Sequence, residues 1–254
     1  MSVLPSMCLE GKVALVSGAG SGIGKAVALA LAEAGADCVI TELPDRLEAL
    51  QPVVAEIERQ GRRAVPVALQ LPDHSSIEDC IETAEDVDIL VNNAGVNIPK
   101  AALDVTEDEW DTVQDVNLKG LFFLSQAVAR RMIAAGKGGK IVNMASIMGA
   151  VGYYKRAAYC SSKAGVVNLT RVMALEWSEH NIQVNAVGPT FVLTPLTQST
   201  FDDPTMRKDL LSRIPAGRVG QPEDVVGAVA FLASSAADMI TGHTLMVDGG
   251  WTAI

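Results

Sequence analysis

The 254-residue chain carries 30 acidic against 20 basic side chains, a formal charge of −10 that disfavours nucleic acid and anionic membrane surfaces as partners. It is 49% hydrophobic with 11 prolines, the balance of a globular domain, and no apolar run approaches the roughly eighteen residues of a membrane span. Cys8, Cys38, Cys80 and Cys160, like His74, His180 and His243, are scattered without C-x-x-C or metal-ligand spacing, so neither a disulfide frame nor a metal site is expected.

The first ten residues lack a basic segment followed by an apolar one, so a cytoplasmic protein is expected. Short β-rich runs then alternate with longer helical ones along the whole chain. Strands are expected over residues 12–17, 38–42, 64–70, 87–92, 140–145, 183–187 and 244–247, mostly as continuous apolar runs. That pattern predicts an α/β fold, a single doubly wound domain over 1–254 with a seven-stranded parallel sheet flanked by helices.

Between the first strand and a helix over 25–34 that stops at Gly35 lies the turn Ser17-Gly18-Ala19-Gly20-Ser21-Gly22-Ile23-Gly24. Glycines after a strand permit tight turning and close backbone approach, and the helix start offers unpaired N–H groups to a pyrophosphate. The spacing of Gly18, Gly22 and Gly24 differs from G-x-G-x-x-G. Glu42 ends the second strand, where a carboxylate can accept hydrogen bonds from both ribose hydroxyls and repel a 2′-phosphate, favouring NAD over NADP. Arg46 just beyond keeps NADP in view, because a guanidinium pairs well with phosphate.

Ser75 to Glu78 is read as opening a short helix, and Thr106 to Glu109 as a capping box opening a long one toward Gly136. Farther on, Tyr159 and Lys163 are four residues apart, about one helical turn, so an ammonium can stand near a phenol and favour its ionised form. Ser146 lies thirteen residues before that tyrosine. Residues 190–215, with Pro195, Pro204 and Pro215, read as a long irregular loop of the kind that covers a site. Gln221-Pro222-Glu223-Asp224 then starts a helix through Ala233.

In order and spacing, these motifs resemble the short-chain dehydrogenase/reductase family across nearly the whole chain. The matching stretches are the glycine turn, Asn92-Asn93-Ala94-Gly95, Asn117, Ser146, Tyr159 with Lys163, and Pro189 with Thr194. The resemblance implies a single Rossmann-type domain assembled as a homotetramer. It implies that Tyr159 exchanges a proton with the substrate oxygen, Ser146 orients that oxygen, Lys163 lowers the Tyr159 pKa and holds the nicotinamide ribose, and Asn117 helps hold a water linking Lys163 to solvent. It assigns cofactor contacts to Gly18, Ser21, Gly22, Ile23, Gly24, Glu42, Leu71, Asn93, Ala94, Gly95, Pro189, Val192 and Thr194, besides Tyr159 and Lys163. Departures from the family pattern are Ser17 for threonine, Gln70 for an acid near the adenine, and Thr190 for glycine.

Within the family, stretches around Asn97 to Lys100, Ser146 to Gly149, Arg156 to Tyr159 and Thr194 to Thr197 resemble the sugar-acid and polyol dehydrogenases. A small polar substrate is therefore expected, with Asn97 and Arg156 beside Ser146 and Tyr159. Arg156, one turn before Tyr159, is the first candidate to hold an acid group, and Lys100 the second. The alternatives are a 3-oxoacyl carrier-protein reductase using NADPH and a cofactor-binding regulatory protein without catalysis.

Overall fold

Side-chain alternation along the first strand, β1 (Val13–Val16), serves two cores at once: Ala14 and Val16 pack on one face of the sheet and Leu15 on the other, all buried. A strand covered on both faces has no use for polar residues, which explains the unbroken apolar run. The computed structural model describes residues 6–84 and 86–253; Met1 to Pro5 of the N-terminal stretch and Ile254 lie outside them.

The chain continues through α1 (Gly22–Glu33), β2 (Asp37–Glu42), α2 (Gln51–Arg59), β3 (Ala64–Ala68), α3 (His74–Ala84) and β4 (Ile89–Asn92). Next come α4 (Glu107–Gln114), α5 (Leu121–Ala135), β5 (Gly139–Met144), α6 (Ala157–Trp177) and β6 (Ile182–Pro189). The last elements are α7 (Gln198–Asp202), α8 (Pro204–Ser212), α9 (Pro222–Ala233) and β7 (Thr244–Val247). All seven strands are parallel in the order β3-β2-β1-β4-β5-β6-β7. Because the winding reverses between β1 and β4, their carboxyl ends open a crevice there, the usual ligand position in such sheets. Pro66 is tolerated in β3 because that strand is an edge, pairing β2 alone.

One core packs α1, α2 and α9 on one face of the sheet; a second packs α3, α5 and α6 on the other. A third, smaller cluster stands apart beyond the strand ends, built from Ile147, Met148, Phe191, Phe201, Leu210, Ile214 and Trp251. Between the main layers runs a buried polar chain: Asn92 Nδ2 donates to Ser125 Oγ at 2.8 Å and to Asn143 Oδ1 at 2.9 Å, and Asn143 Nδ2 donates to Thr170 Oγ1 at 2.9 Å. It ties β4 and β5 to α5 and α6 directly behind the crevice. Such groups are costly in a core unless paired, and in this chain of bonds Asn92 Oδ1 is left without a partner among the described residues.

Three local expectations are corrected. The short helix begins at His74, before Ser75, because Asp73 rather than a serine caps it: its Oδ1 accepts from the Ser75 and Ser76 N–H groups at 2.8 and 3.3 Å. The Thr106–Glu109 capping box is present, yet the long helix is broken between α4 and α5 by a π-helical turn, Asp115–Gly120. The segment expected to be loop carries α7 and α8. Pro204 occupies the first turn of α8, where its missing N–H costs nothing, and the Asp203 carboxylate accepts from the Thr205 and Met206 N–H groups at 2.8 and 3.2 Å.

Candidate active site

A cleft of about 560 Å³ follows the crevice from Glu42 to Tyr159. At its adenosine-side end the glycine turn is built by geometry that side chains would destroy. Gly18 and Gly22 have φ of +66° and +54°, and a Cβ on Gly24 would overlap the Gly18 carbonyl oxygen and the Asn93 amide. Asn93 pins the turn by donating through Nδ2 to the Ser17 and Gly18 carbonyls, both at 3.0 Å. The Ser17 hydroxyl accepts from the Asn93 and Ala94 N–H groups at 3.0 Å, so serine does what the expected threonine would do.

Ser21 caps α1 without spending its side chain on the helix end, and no acid stands in the first turn. Open N–H groups, a positive helix end and a backbone free of Cβ atoms fit a dinucleotide pyrophosphate. Glu42 is buried at the end of β2; its Oε1 accepts from the Leu43 N–H at 3.0 Å, and its Oε2 borders Gly20. Arg46 lines the same end of the cleft.

Every cofactor contact implied by the resemblance lies on this cleft: Gly18, Ser21, Gly22, Ile23, Gly24, Glu42 and Leu71 on one side; Asn93, Ala94, Gly95, Tyr159, Lys163, Pro189, Val192 and Thr194 on the other. Ser146 is also there. Sequence reasoning missed Leu43, Leu69, Val96 and Val116 as walls. Apolar residues at strand and helix ends carry no signal that separates a ligand wall from core. Thr197 also lines the cleft; its hydroxyl donates to the Val192 carbonyl at 2.6 Å and fixes the turn after β6. The Thr190 hydroxyl, on the cleft wall, is buried with no partner among the described residues.

At the far end Ser146 is buried, its hydroxyl accepting from the Met148 N–H at 3.1 Å. Burial pushes the Tyr159 phenol above its ordinary range, while the Ser146 hydroxyl and the Arg156 guanidinium draw it down. Lys163 is buried, its ammonium donates to the Met144 carbonyl at 2.7 Å, and burial lowers its pKa to about 8. It lies 5.7 Å from the centre of the Tyr159 ring. Arg156 thus joins Lys163 as a cation near the phenol, while the Lys163 ammonium finds the acceptor that a buried charge needs at the end of β5.

Asn117 stands behind the cleft in the π-helical turn. Its Oδ1 accepts from the Val96 N–H at 2.8 Å, and its Nδ2 donates to the Val96 carbonyl at 2.8 Å and to Ser162 Oγ at 3.2 Å. Both amide hydrogens are spent, so any water it holds must donate to Oδ1 or meet the backbone. A Cβ on Gly95 would stand 3.1 Å from that Oδ1 and 3.8 Å from the Lys163 ammonium, which places the two groups around one glycine.

Of the expected substrate contacts, Arg156 is only 4% exposed and caps α6 one turn before Tyr159. Its hydrogen bond is to the Lys155 carbonyl at 3.1 Å, and no carboxylate among the described residues pairs with it. Lys100, the second candidate, is bonded to both carboxylate oxygens of Glu109 at 2.7 and 2.9 Å. Neither Arg156 nor Asn97 is part of the cleft wall, and Asn97 has a buried Oδ1 with no partner among the described residues.

A family model described as Enoyl-(Acyl carrier protein) reductase matches residues 18–252. The 2-dehydro-3-deoxy-D-gluconate 5-dehydrogenase of Escherichia coli is 43% identical over 255 residues, 99% of each chain. The chain belongs to the short-chain dehydrogenase/reductase family. The NAD-dependent glycerol dehydrogenase of Listeria innocua is 42% identical over 95% of this chain and 94% of its own. A solved gluconate 5-dehydrogenase from Burkholderia cenocepacia, in complex with NADP and tartrate, superposes with a TM-score of 0.94 at 36% identity over 100% of both chains. Family membership makes this chain an oxidoreductase built for a dinucleotide. Among the described residues no helix is long and apolar enough to cross a membrane, and no cluster of His, Cys, Asp or Glu is placed to hold a metal ion.

Proposed function

We propose that this enzyme transfers a hydride between NAD and a secondary alcohol or ketone of a sugar acid. The observation that carries the reading is Arg156: a guanidinium withdrawn from water, without a carboxylate partner among the described residues, one helical turn from Tyr159. A buried charge of that kind is costly unless a ligand pairs with it. A substrate carboxylate supplies two acceptors in the planar geometry that guanidinium prefers. Sugar-acid relatives support the same choice.

When bound, the dinucleotide supplies hydride transfer. Gly18 to Gly24 would hold its pyrophosphate, Glu42 the adenosine ribose and Lys163 the nicotinamide ribose. Ser146 donates a hydrogen bond to the substrate oxygen, and Tyr159 exchanges the proton there. Lys163, whose pKa of about 8 is near the working range, passes that proton toward solvent past Asn117. Incubating the protein with NAD and matched aldonates, aldoses and polyols, read by absorbance of the reduced cofactor, tests the assignment. Preference for neutral polyols over every sugar acid overturns it.

NAD is favoured over NADP because the Glu42 carboxylate at the end of β2 would meet a 2′-phosphate with like charge. NADP in the Burkholderia relative and Arg46 on the cleft wall argue the other way. Glu42→Ala should cut the ratio of kcat/KM for NAD over NADP by about ten- to a hundredfold, the usual worth of a charged hydrogen bond. A wild-type enzyme that uses NADP as well as NAD overturns the assignment. Glu42 and the net charge of −10 also speak against a carrier-protein reductase, which needs NADPH and a basic docking patch.

Assembly as a homotetramer is supported by apolar side chains left in water: Val172 and Leu175 on α6, Trp110 on α4, and Met239 before β7. A sedimentation experiment that finds an active monomer excludes it.

A further inference from the structure

The helices α7 and α8 have 5 and 9 residues, too short to hold their shape without tertiary support. At the segment's roots the backbone is tied twice to Gly220, by the Leu193 N–H to its carbonyl and by its own N–H to the Phe191 carbonyl, and once where the Ala216 N–H meets the Gly249 carbonyl. Between those roots, residues 198–212 bond almost entirely to near neighbours in sequence. Among the described residues one hydrogen bond leaves that stretch for a distant part of the chain: the Tyr153 hydroxyl donates to Asp209 Oδ2 at 2.8 Å.

Around this bond the groups are arranged as a clasp. Arg213 donates from Nε and Nη2 to both Asp209 oxygens at 2.9 and 3.0 Å, and its guanidinium carbon lies 5.7 Å from the centre of the Tyr153 ring. That ring stands edge-on to Phe191 and to Trp251. Phe201 of α7 and Leu210 of α8 close the cluster against which Tyr159 packs. The helical segment is therefore held beside Tyr159, apolar contact giving it adhesion and Tyr153 giving it register. Tyr153 is three residues before Arg156 and close enough for their charges to interact, so the clasp and the proposed anion receptor share one wall.

We propose that Tyr153 is a positioning residue: its bond to Asp209 holds the 198–212 segment closed over the substrate side of Tyr159, and the substrate must open and re-form that bond at each turnover. The substrate side is assigned by the reading of Tyr159 and Arg156 above, on which this rests. The bond itself is testable without any substrate. Tyr153→Phe keeps the ring and its packing while removing the donor; Asp209→Ala removes the acceptor.

Arg207 and Lys208 lie on the covering segment and are trypsin sites, so cleavage there under native conditions reports how often it opens. Tyr153→Phe and Asp209→Ala should each raise that cleavage rate about tenfold or more, as expected for a bond to a charged acceptor. The double variant should be no faster than the single ones, while Tm and NAD affinity measured by calorimetry stay near wild type. With substrate, KM should rise by a similar factor while kcat is unchanged or higher, a split that general loss of structure would not give. Unchanged proteolysis in Tyr153→Phe overturns the clasp whatever the substrate is. Faster proteolysis with unchanged KM overturns its role in positioning, and failure of every sugar acid as substrate in a clasped wild-type enzyme counts against the functional reading alone.

Discussion

Tyr159→Phe lowers kcat by about 10²-fold or more, the range of positioned acid-base catalysis, while leaving the fold and NAD binding near wild type. The expectation rests on where the two parts of the side chain sit. The ring packs against the third apolar cluster and is kept in phenylalanine; the hydroxyl meets Ser146 and is lost. A pH profile adds a sign. Burial holds the phenol above its ordinary range, so near neutrality it carries its proton and is ready to protonate a ketone. Alcohol oxidation needs the deprotonated form and should therefore gain rate as pH rises, whereas ketone reduction should lose rate at the alkaline end. Steady-state rates in both directions across pH measure this, and near-normal turnover by Tyr159→Phe removes the proton-transfer assignment.

Arg156→Ala should raise KM for an acidic substrate about 10- to 150-fold, corresponding to roughly 1.5–3 kcal/mol for hydrogen bonds to a charged group. A neutral polyol of the same length should be nearly indifferent. The contrast isolates charge from packing, since the loss of the arginine stem disturbs both substrates alike. Arg156→Lys should recover only part of the affinity, because a compact ammonium cannot offer the planar two-point geometry. Paired KM values for acid and neutral substrates decide the matter; equal losses make Arg156 a structural residue of the α6 start.

The reach of the sequence differs between parts of the molecule. All seven strands are where the apolar runs predict them, with ends shifted by one or two residues, because strands covered on both faces advertise themselves as continuous hydrophobic text. The glycine turn is equally legible, since its backbone excludes side chains. The π-helical turn around Asn117 is not, because nothing local marks it: the turn is stabilised by bonds from Asn117 to Val96 and Ser162, distant in sequence. The prolines of residues 190–215 suggest a loop, although Pro204 in a first turn starts a helix rather than ending one. Nothing in the sequence pairs Lys100 with Glu109, which the fold brings against it.

The separateness of the third apolar cluster bears on how an enzyme of this kind changes its diet. Ile147, Met148, Phe191, Phe201, Leu210, Ile214 and Trp251 pack with one another beyond the strand ends rather than within the two layers that hold the sheet and the dinucleotide cleft. Met246 of β7 and Tyr159 touch this cluster, so substitutions beside them are coupled to the sheet and the site, whereas those without such shared neighbours add independently. A lineage can therefore alter the packing beside Tyr159 from its outer positions with less effect on the melting of the main body than a change in either large core.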